Sequence, residues 1–321
     1  MTINERNKVI SVKEVSKTFQ ADKKEIRALT NVSFHIYEGE ALSILGPNGA
    51  GKTTLINMML GKLSLSHGKM SLLGCEPGHI ELKRQSGAML QLAGLPDMST
   101  IKEHIQLFQS YYPAPMDYQQ VINIVGLKDI ENQYSKNLSG GQKQRLLFAL
   151  SICGNPKLLF LDEPTVGMDI SARRLLWQAV TALKEQGTSI ILTTHYIEEA
   201  DHLSDRIIML SKGRVIKIGT PKEIKSQIKS KTIRFNSSLK PKQLEKISSI
   251  KHFSVSENEG DENQFEIQTD DPVETLKSIF EIEVEMEIKL TDLMVAGAAL
   301  EDAFLLLNEN NDNLLEESNE T

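Results

Sequence analysis

Residues Gly46-Pro47-Asn48-Gly49-Ala50-Gly51-Lys52-Thr53-Thr54 set glycine, lysine and a hydroxyl at the spacing G-x-x-x-x-G-K-[ST]. The chemistry this spacing suits is the holding of a polyphosphate. Glycines let the backbone close into a nest whose N–H groups point inward at an anion. Lys52 adds a positive charge for the β- and γ-phosphates, and the Thr53 hydroxyl can reach a magnesium ion. A second reactive pair, Asp162 and Glu163, follows the apolar run Leu158-Leu159-Phe160-Leu161. Such a run reads as a buried strand and delivers the Asp162 carboxylate to the strand's C-terminal edge, where α/β folds bind ligands and where it would hold magnesium. Glu163 is the next residue and points to the other side.

The flanking stretches supply elements that position these groups. Ala41-Leu42-Ser43-Ile44-Leu45 is a short apolar run expected of a buried parallel strand entering the loop. Thr54 to Leu60 begins a helix whose N-terminal dipole also favours phosphate. Residues 8–38 alternate apolar and polar, which predicts antiparallel strands leading into the loop strand. Thr188 to Leu192 reads as another buried strand. Arg206 to Leu210 and Arg214 to Ile218 flank Ser211-Lys212-Gly213 and predict a hairpin. Thr220-Pro221-Lys222-Glu223 is a capping box with proline at the first helical position.

Roughly ninety residues after the loop comes Asn137-Leu138-Ser139-Gly140-Gly141-Gln142-Lys143-Gln144-Arg145. With Leu138 to Gln142 reading LSGGQ, and with Leu161-Asp162-Glu163-Pro164 behind it, the chain resembles the ATP-binding-cassette (ABC) ATPases over residues from about 8 to about 225. The resemblance implies ATP and Mg2+ as ligands, with Gly46, Pro47, Asn48, Gly49, Ala50, Gly51, Lys52, Thr53 and Thr54 around the phosphates. It implies that Glu163 is the general base that polarises the attacking water, and that Gln91 contacts magnesium and that water. His195, in Leu192-Thr193-Thr194-His195, matches the switch histidine at the γ-phosphate. Gly167-Met168-Asp169 takes the D-loop position, with Met where Leu is commoner. Phe19 takes the place of the aromatic ring stacked on adenine, where Tyr is commoner.

Gly140-Gly141 before Gln142 to Leu150 reads as a helix N-terminus, again an anion site. In the family, Ser139, Gly140, Gly141 and Gln142 contact the γ-phosphate of ATP held by the opposite subunit. The chain has one phosphate loop and one signature. The resemblance therefore implies a head-to-tail pair, most simply a homodimer, with two ATP molecules between the subunits. The stretch from about 92 to 150 corresponds to the family's helical subdomain, the surface that grips a membrane permease.

The 321 residues suggest two domains, and 40% hydrophobic content is ordinary for a globular chain. No apolar stretch approaches the ~18 residues that span a bilayer, and the N-terminus lacks a signal-peptide core. The expectation is a cytoplasmic protein, peripheral to the membrane through a permease partner. A net charge of −7 argues against nucleic-acid binding, which needs clustered Lys and Arg. Cys75 and Cys153 are far apart and read as ordinary reduced cysteines. His35, His67, His79, His104, His202 and His252 lack metal-ligand spacing and read as surface or loop residues.

The fold expected is α/β: a P-loop ABC ATPase core (1–229) with an antiparallel β-subdomain and a helical subdomain, then a small C-terminal α+β domain (230–307), then an acidic disordered tail (308–321). Strands at Lys231–Phe235, His252–Val255, Gln264–Gln268 and Glu283–Lys289, with helices from Pro241 to Ile247 and from Asp271 through Phe280, give the order β-α-β-β-α-β of a ferredoxin-like sandwich. Leu300 to Leu307 follows as an amphipathic helix. Leu300-Glu301-Asp302-Ala303-Phe304 and Met89 to Pro96 resemble the type 2 exporter ATPases, including drug-resistance types. Two other readings stay open: an importer ATPase with a ligand-sensing C-terminal domain, and a soluble ABC ATPase outside transport.

Overall fold

The computed structural model describes residues 7–21, 24–90, 95–226, 231–257, 263–297, 300–304 and 307. Gln91 and the acidic tail 308–321 lie outside the described residues. The chain divides into two compact units, Met1–Pro221 and Lys222–Thr321. In chain order the first holds β1 (Lys8–Ala21), β2 (Lys24–Tyr37), β3 (Ala41–Leu45), α1 (Lys52–Met59), β4 (His67–Leu72), α2 (Ile80–Gln85), β5 (Ser86–Met89), α3 (Ile101–Gln109), α4 (Tyr118–Ile124) and α5 (Gly140–Ile152). It continues with β6 (Leu158–Asp162), α6 (Ile170–Glu185), β7 (Ser189–Thr194), α7 (Ile197–Leu203), β8 (Arg206–Ser211) and β9 (Arg214–Gly219), and α8 (Pro221–Lys225) straddles the division.

Two sheets build the first unit. β3, β6 and β7 are buried at every residue, as strands covered on both faces must be. They form the centre of a six-stranded sheet of order β5-β6-β7-β3-β8-β9, parallel except for β9. β1 pairs with β2 and β4 in an antiparallel sheet. One hydrophobic cluster joins that sheet to α1, with Ile10, Val32, Ile36, Leu55, Met58 and Met59 fully or nearly fully buried. A second cluster joins α3, α4, α5 and α6 to the other part of the large sheet.

His104 corrects the expectation of a surface histidine. It is 2% exposed on α3, because Ile101, His104, Ile105 and Phe108 fall at i, i+3, i+4 and i+7 on the helix's inward face. Burial lowers its pKa.

The second unit holds β10 (Lys231–Ser237), α9 (Pro241–Leu244), β11 (Ile250–Glu257), β12 (Asn263–Thr269), α10 (Pro272–Met286) and β13 (Thr291–Ala296). Its antiparallel sheet has the order β11-β12-β10-β13, the β-α-β-β-α-β arrangement with the first and third strands central. Phe235 and Phe265 stack at 5.2 Å in its core. The last strand is Thr291–Ala296, not Glu283–Lys289. The reason is length. The seven residues of β12 run about 23 Å. A helix ending at Phe280 would return only about 14 Å, whereas the 15 residues of α10 return about 22 Å. Residues 283–286 are therefore helical, and Glu287 ends the helix in the left-handed conformation. Leu300 and Ala303 of the following helical stretch are buried, while Phe304 and Leu307 are half-buried.

Candidate functional site

β3, β7 and β6 are neighbours in the sheet and run parallel. Their C-terminal ends therefore bring three segments together: the loop Gly46–Gly51 after β3, His195 after β7, and Asp162-Glu163 at the end of β6. A cleft of about 580 Å³ lies there, lined by Asn48 to Thr54, Glu163, and Ile26, Arg27 and Ala28 of β2. α1 starts at Lys52, at the bottom of the loop, so its first turn adds unbonded N–H groups facing the cleft.

Two glycines, one within the loop and one in the β8–β9 turn, fix the loop's conformation. Gly51 caps α1 with φ 104°, and a Cβ there would stand 2.7 Å from both the Ala28 carbonyl and Leu29. Gly213, at φ 75° in the β8–β9 turn, donates its N–H to the Ala50 carbonyl (3.1 Å) and accepts from the Thr30 N–H (2.8 Å). A Cβ on Gly213 would meet the Ala28 carbonyl at 2.5 Å. The hairpin turn is thus wedged between the loop and β2. Nothing in the residue pattern around 213 beyond a turn signal pointed to that task.

Lys52 is 5% exposed. Its ammonium donates to the Gly46 and Pro47 carbonyls at 2.7 and 3.2 Å and stands 3.6 Å from Glu163 Oε1. Glu163 Oε2 is 3.3 Å from His195 Nδ1. One carboxylate therefore joins the loop lysine to His195. Glu163 adopts φ 50°, unusual for a residue with a side chain. Its N–H is held by the Thr193 carbonyl and hydroxyl at 3.0 and 3.2 Å. That turn sends the Glu163 carboxylate into the cleft, where its charge still adds to the upward push on Asp162. The Thr193 hydroxyl also donates to Asp162 Oδ1. Burial pushes the Asp162 carboxyl above the usual carboxylate range, against the pull of Thr193, Thr53 and Lys52. Thr53 and Asp162 offer the hard oxygen donors that Mg2+ takes, and a cation beside Asp162 would offset its desolvation.

Phe19 sits half-buried on β1, cross-strand from Ile26, with the Lys17 ammonium 5.1 Å from its ring centre. Ile26, Arg27 and Ala28 were missed as site residues; only their place opposite Phe19 in an antiparallel pair could have found them. Ser139 caps α5 in a closed capping box: its hydroxyl accepts from the Gln142 N–H (3.3 Å), and its own N–H donates to Gln142 Oε1 (2.8 Å). Ser139, Gly140, Gly141 and Gln142 do not line the loop cleft. Around Gly140 and Gly141 an added Cβ would meet nothing within 4 Å among the described residues, which leaves this helix start open there. Asp169 caps α6 through the Ala172 N–H at 2.8 Å, which holds its carboxyl below the usual range.

Comparison with known proteins gives the family. The family model described as ABC transporter matches residues 29–166. The Nod factor export ATP-binding protein I of Rhizobium johnstonii is 40% identical over 200 residues, 60% of this chain and 64% of that protein. The match thus spans a little under two thirds of that relative. A dimeric ATP-binding cassette solved in a post-hydrolysis state with ADP and Pi is 26% identical, with a TM-score of 0.60, covering 66% of this chain and 98% of that one. The daunorubicin/doxorubicin resistance ATP-binding protein DrrA of Streptomyces peucetius is 31% identical over 292 residues, 88% of both chains. A match of that length reaches past the cassette into the second unit, and on it the chain belongs to the ATP-binding proteins of the ABC transporter family.

Proposed function

We propose that this chain hydrolyses ATP as the energy-supplying subunit of an ABC exporter, acting as a head-to-tail pair and driving a separate integral membrane permease. The observation that carries the reading is the Lys52–Glu163–His195 chain of contacts at the mouth of the phosphate-loop cleft. Lys52 binds the phosphates in exchange for its two carbonyl partners. Glu163 holds the attacking water and accepts its proton, and His195 orients Glu163 and faces the γ-phosphate. Phe19 and Ile26 take the adenine. Thr53, Asp162 and Gln91 would hold Mg2+, which supplies charge neutralisation at the β- and γ-oxygens. Ser139, Gly140 and Gly141 serve the partner's ATP, which accounts for their position outside this chain's own cleft.

Export is supported by the roles of the relatives, Nod factor export and drug resistance. Among the described residues no helix is long and apolar enough to cross a membrane, so a membrane-spanning partner fits the reading. Tagged chain recovered from detergent-solubilised membranes is expected to bring down an integral permease and to show Mg2+-dependent ATP hydrolysis. Recovery of the chain alone, or of an RNA or DNA complex in its place, would overturn the transport role.

The second unit is assigned to strengthening the pair. α10 leaves Val273, Phe280 and Val284 exposed along one stripe, and burying each Val or Phe contributes about 1.5–3 kcal/mol. A fragment ending at residue 230 is expected to bind ATP like the full chain but to dimerise at least tenfold more weakly, by about the energy of one such side chain. Removing only 308–321 should change neither property. Sedimentation of the two truncations with and without ATP checks this, and equal dimerisation by the 1–230 fragment would reject the assignment.

A further inference from the structure

Glu199 lies in the first turn of α7 and is fully buried. A carboxyl rarely occupies such a position unless it is held by partners. Its Oε1 accepts the indole N–H of Trp177, on α6, at 3.2 Å. Among the described residues its Oε2 is buried without a hydrogen-bond partner, and so is the hydroxyl of Thr165. Thr165 lies two residues beyond Glu163, and Thr194 immediately precedes His195. Both hydroxyls, with the Trp177 indole, favour the ionised carboxyl against the burial that raises its pKa. The cluster therefore sits between the segment that carries the base and the turn that carries the switch histidine. A second bridge runs parallel to it: the Arg173 guanidinium of α6 lies 4.9 Å over the Tyr196 ring, which packs 4.2 Å from His195.

We propose that Glu199 is a positioning residue of the hydrolysis site, which ties the His195 turn and the Thr165 segment to α6 so that base and switch histidine move together. These two oxygens, buried in one cluster, are the pair that this role brings into a full hydrogen bond. In this role ATP binding draws the Thr165 segment toward α7, and the Thr165 hydroxyl then meets Glu199 Oε2. Glu199 touches neither nucleotide nor water in this scheme. It acts through Thr165 and Thr194.

The inference rests on the ATPase reading above, and the wild-type chain serves as the control for that reading. Trp177 is the only tryptophan, so its fluorescence reports on the Glu199 bond directly. ATP with Mg2+ is expected to shift Trp177 emission in the wild type. Glu199→Leu should abolish that shift and lower kcat about tenfold or more, as loss of a buried polar anchor does, with the KM for ATP within about twofold, since no nucleotide contact is lost. Glu199→Gln, which keeps the shape and both hydrogen bonds, should restore the shift and most of kcat. Thr165→Val should cost about fivefold in kcat, the loss of one hydrogen bond, and should add nothing in a Glu199→Leu background. Should Glu199→Leu fail to fold, Thr165→Val paired with Glu199→Gln carries the same comparison. An active wild type whose kcat and Trp177 signal are unchanged by Thr165→Val overturns the proposal. A wild type without ATP hydrolysis overturns the ATPase reading instead.

Discussion

Glu163→Gln is expected to lower ATP turnover by about 10²- to 10⁴-fold, the usual worth of a positioned general base, while leaving ATP binding intact. The amide keeps the volume of the carboxylate and can still meet Lys52 and His195, which now stand 3.6 and 3.3 Å from its two oxygens. The backbone at φ 50° is fixed by Thr193, not by the side chain, so the turn survives the change. What is lost is the capacity to take a proton from water. Binding without hydrolysis leaves the closed pair with no exit, and the variant should elute as an ATP-dependent dimer on size exclusion. Lys52→Ala should behave in the opposite way. Removing a buried ammonium from the loop carbonyls and from Glu163 should abolish nucleotide-dependent pairing at the binding step. Turnover by Glu163→Gln within about threefold of wild type would show that another group serves as base.

The parts of this site that the sequence disclosed are those whose residue types have few other uses. Gly51 and Lys52 are needed where a backbone must wrap an anion, and Asp162 closes a run too apolar to be anything but a central strand. Their meeting followed from topology, because β3, β6 and β7 are parallel neighbours whose C-terminal ends coincide. Residues that act by shape or by distant pairing left no comparable trace. Ile26 to Ala28 line the cleft only through the register of β1 on β2. Gly213 looks like any hairpin glycine until Ala28 and Ala50 are seen pressed against it. His104 was misread because a single histidine carries no sign of the helix face it will occupy. In the second unit the alternation of Ile282, Val284, Met286 and Ile288 imitates a strand, but the return path over β12 needs those residues in α10 as far as Met286. Local pattern lost there to the geometry of the crossover.

A mixture of two dead variants is expected to recover activity if the site is shared between subunits. Lys52→Ala removes the phosphate lysine. Gly141→Asp puts a carboxylate at the open start of α5, where a Cβ meets no neighbour and the Ser139–Gln142 capping box is left whole. The aspartate is well tolerated by the helix dipole in the free chain yet repels the γ-phosphate of the ATP it should receive. Each variant alone carries the same lesion in both sites of its homodimer. In a mixed dimer, one site joins the intact loop of the Gly141→Asp chain to the intact signature of the Lys52→Ala chain, and the other site carries both lesions. Chains that pair at random without nucleotide, through the second unit, make half of the dimers mixed, so about a quarter of the wild-type rate should return for independent sites in a two-fold pair. The rate should follow the product of the two chains' concentrations and peak at equal amounts. A mixture that stays dead at every ratio, while a tag exchange assay shows that mixed dimers have formed, would show either that one intact site cannot turn over alone or that the signature does not act across the pair. Glu163→Gln mixed with wild type separates these. Its mixed dimers hold one unmutated site completed by unmutated signatures on both chains; in an equal random mixture the wild-type dimers alone give about a quarter of the full rate, and a rate of about half shows that a single site is enough.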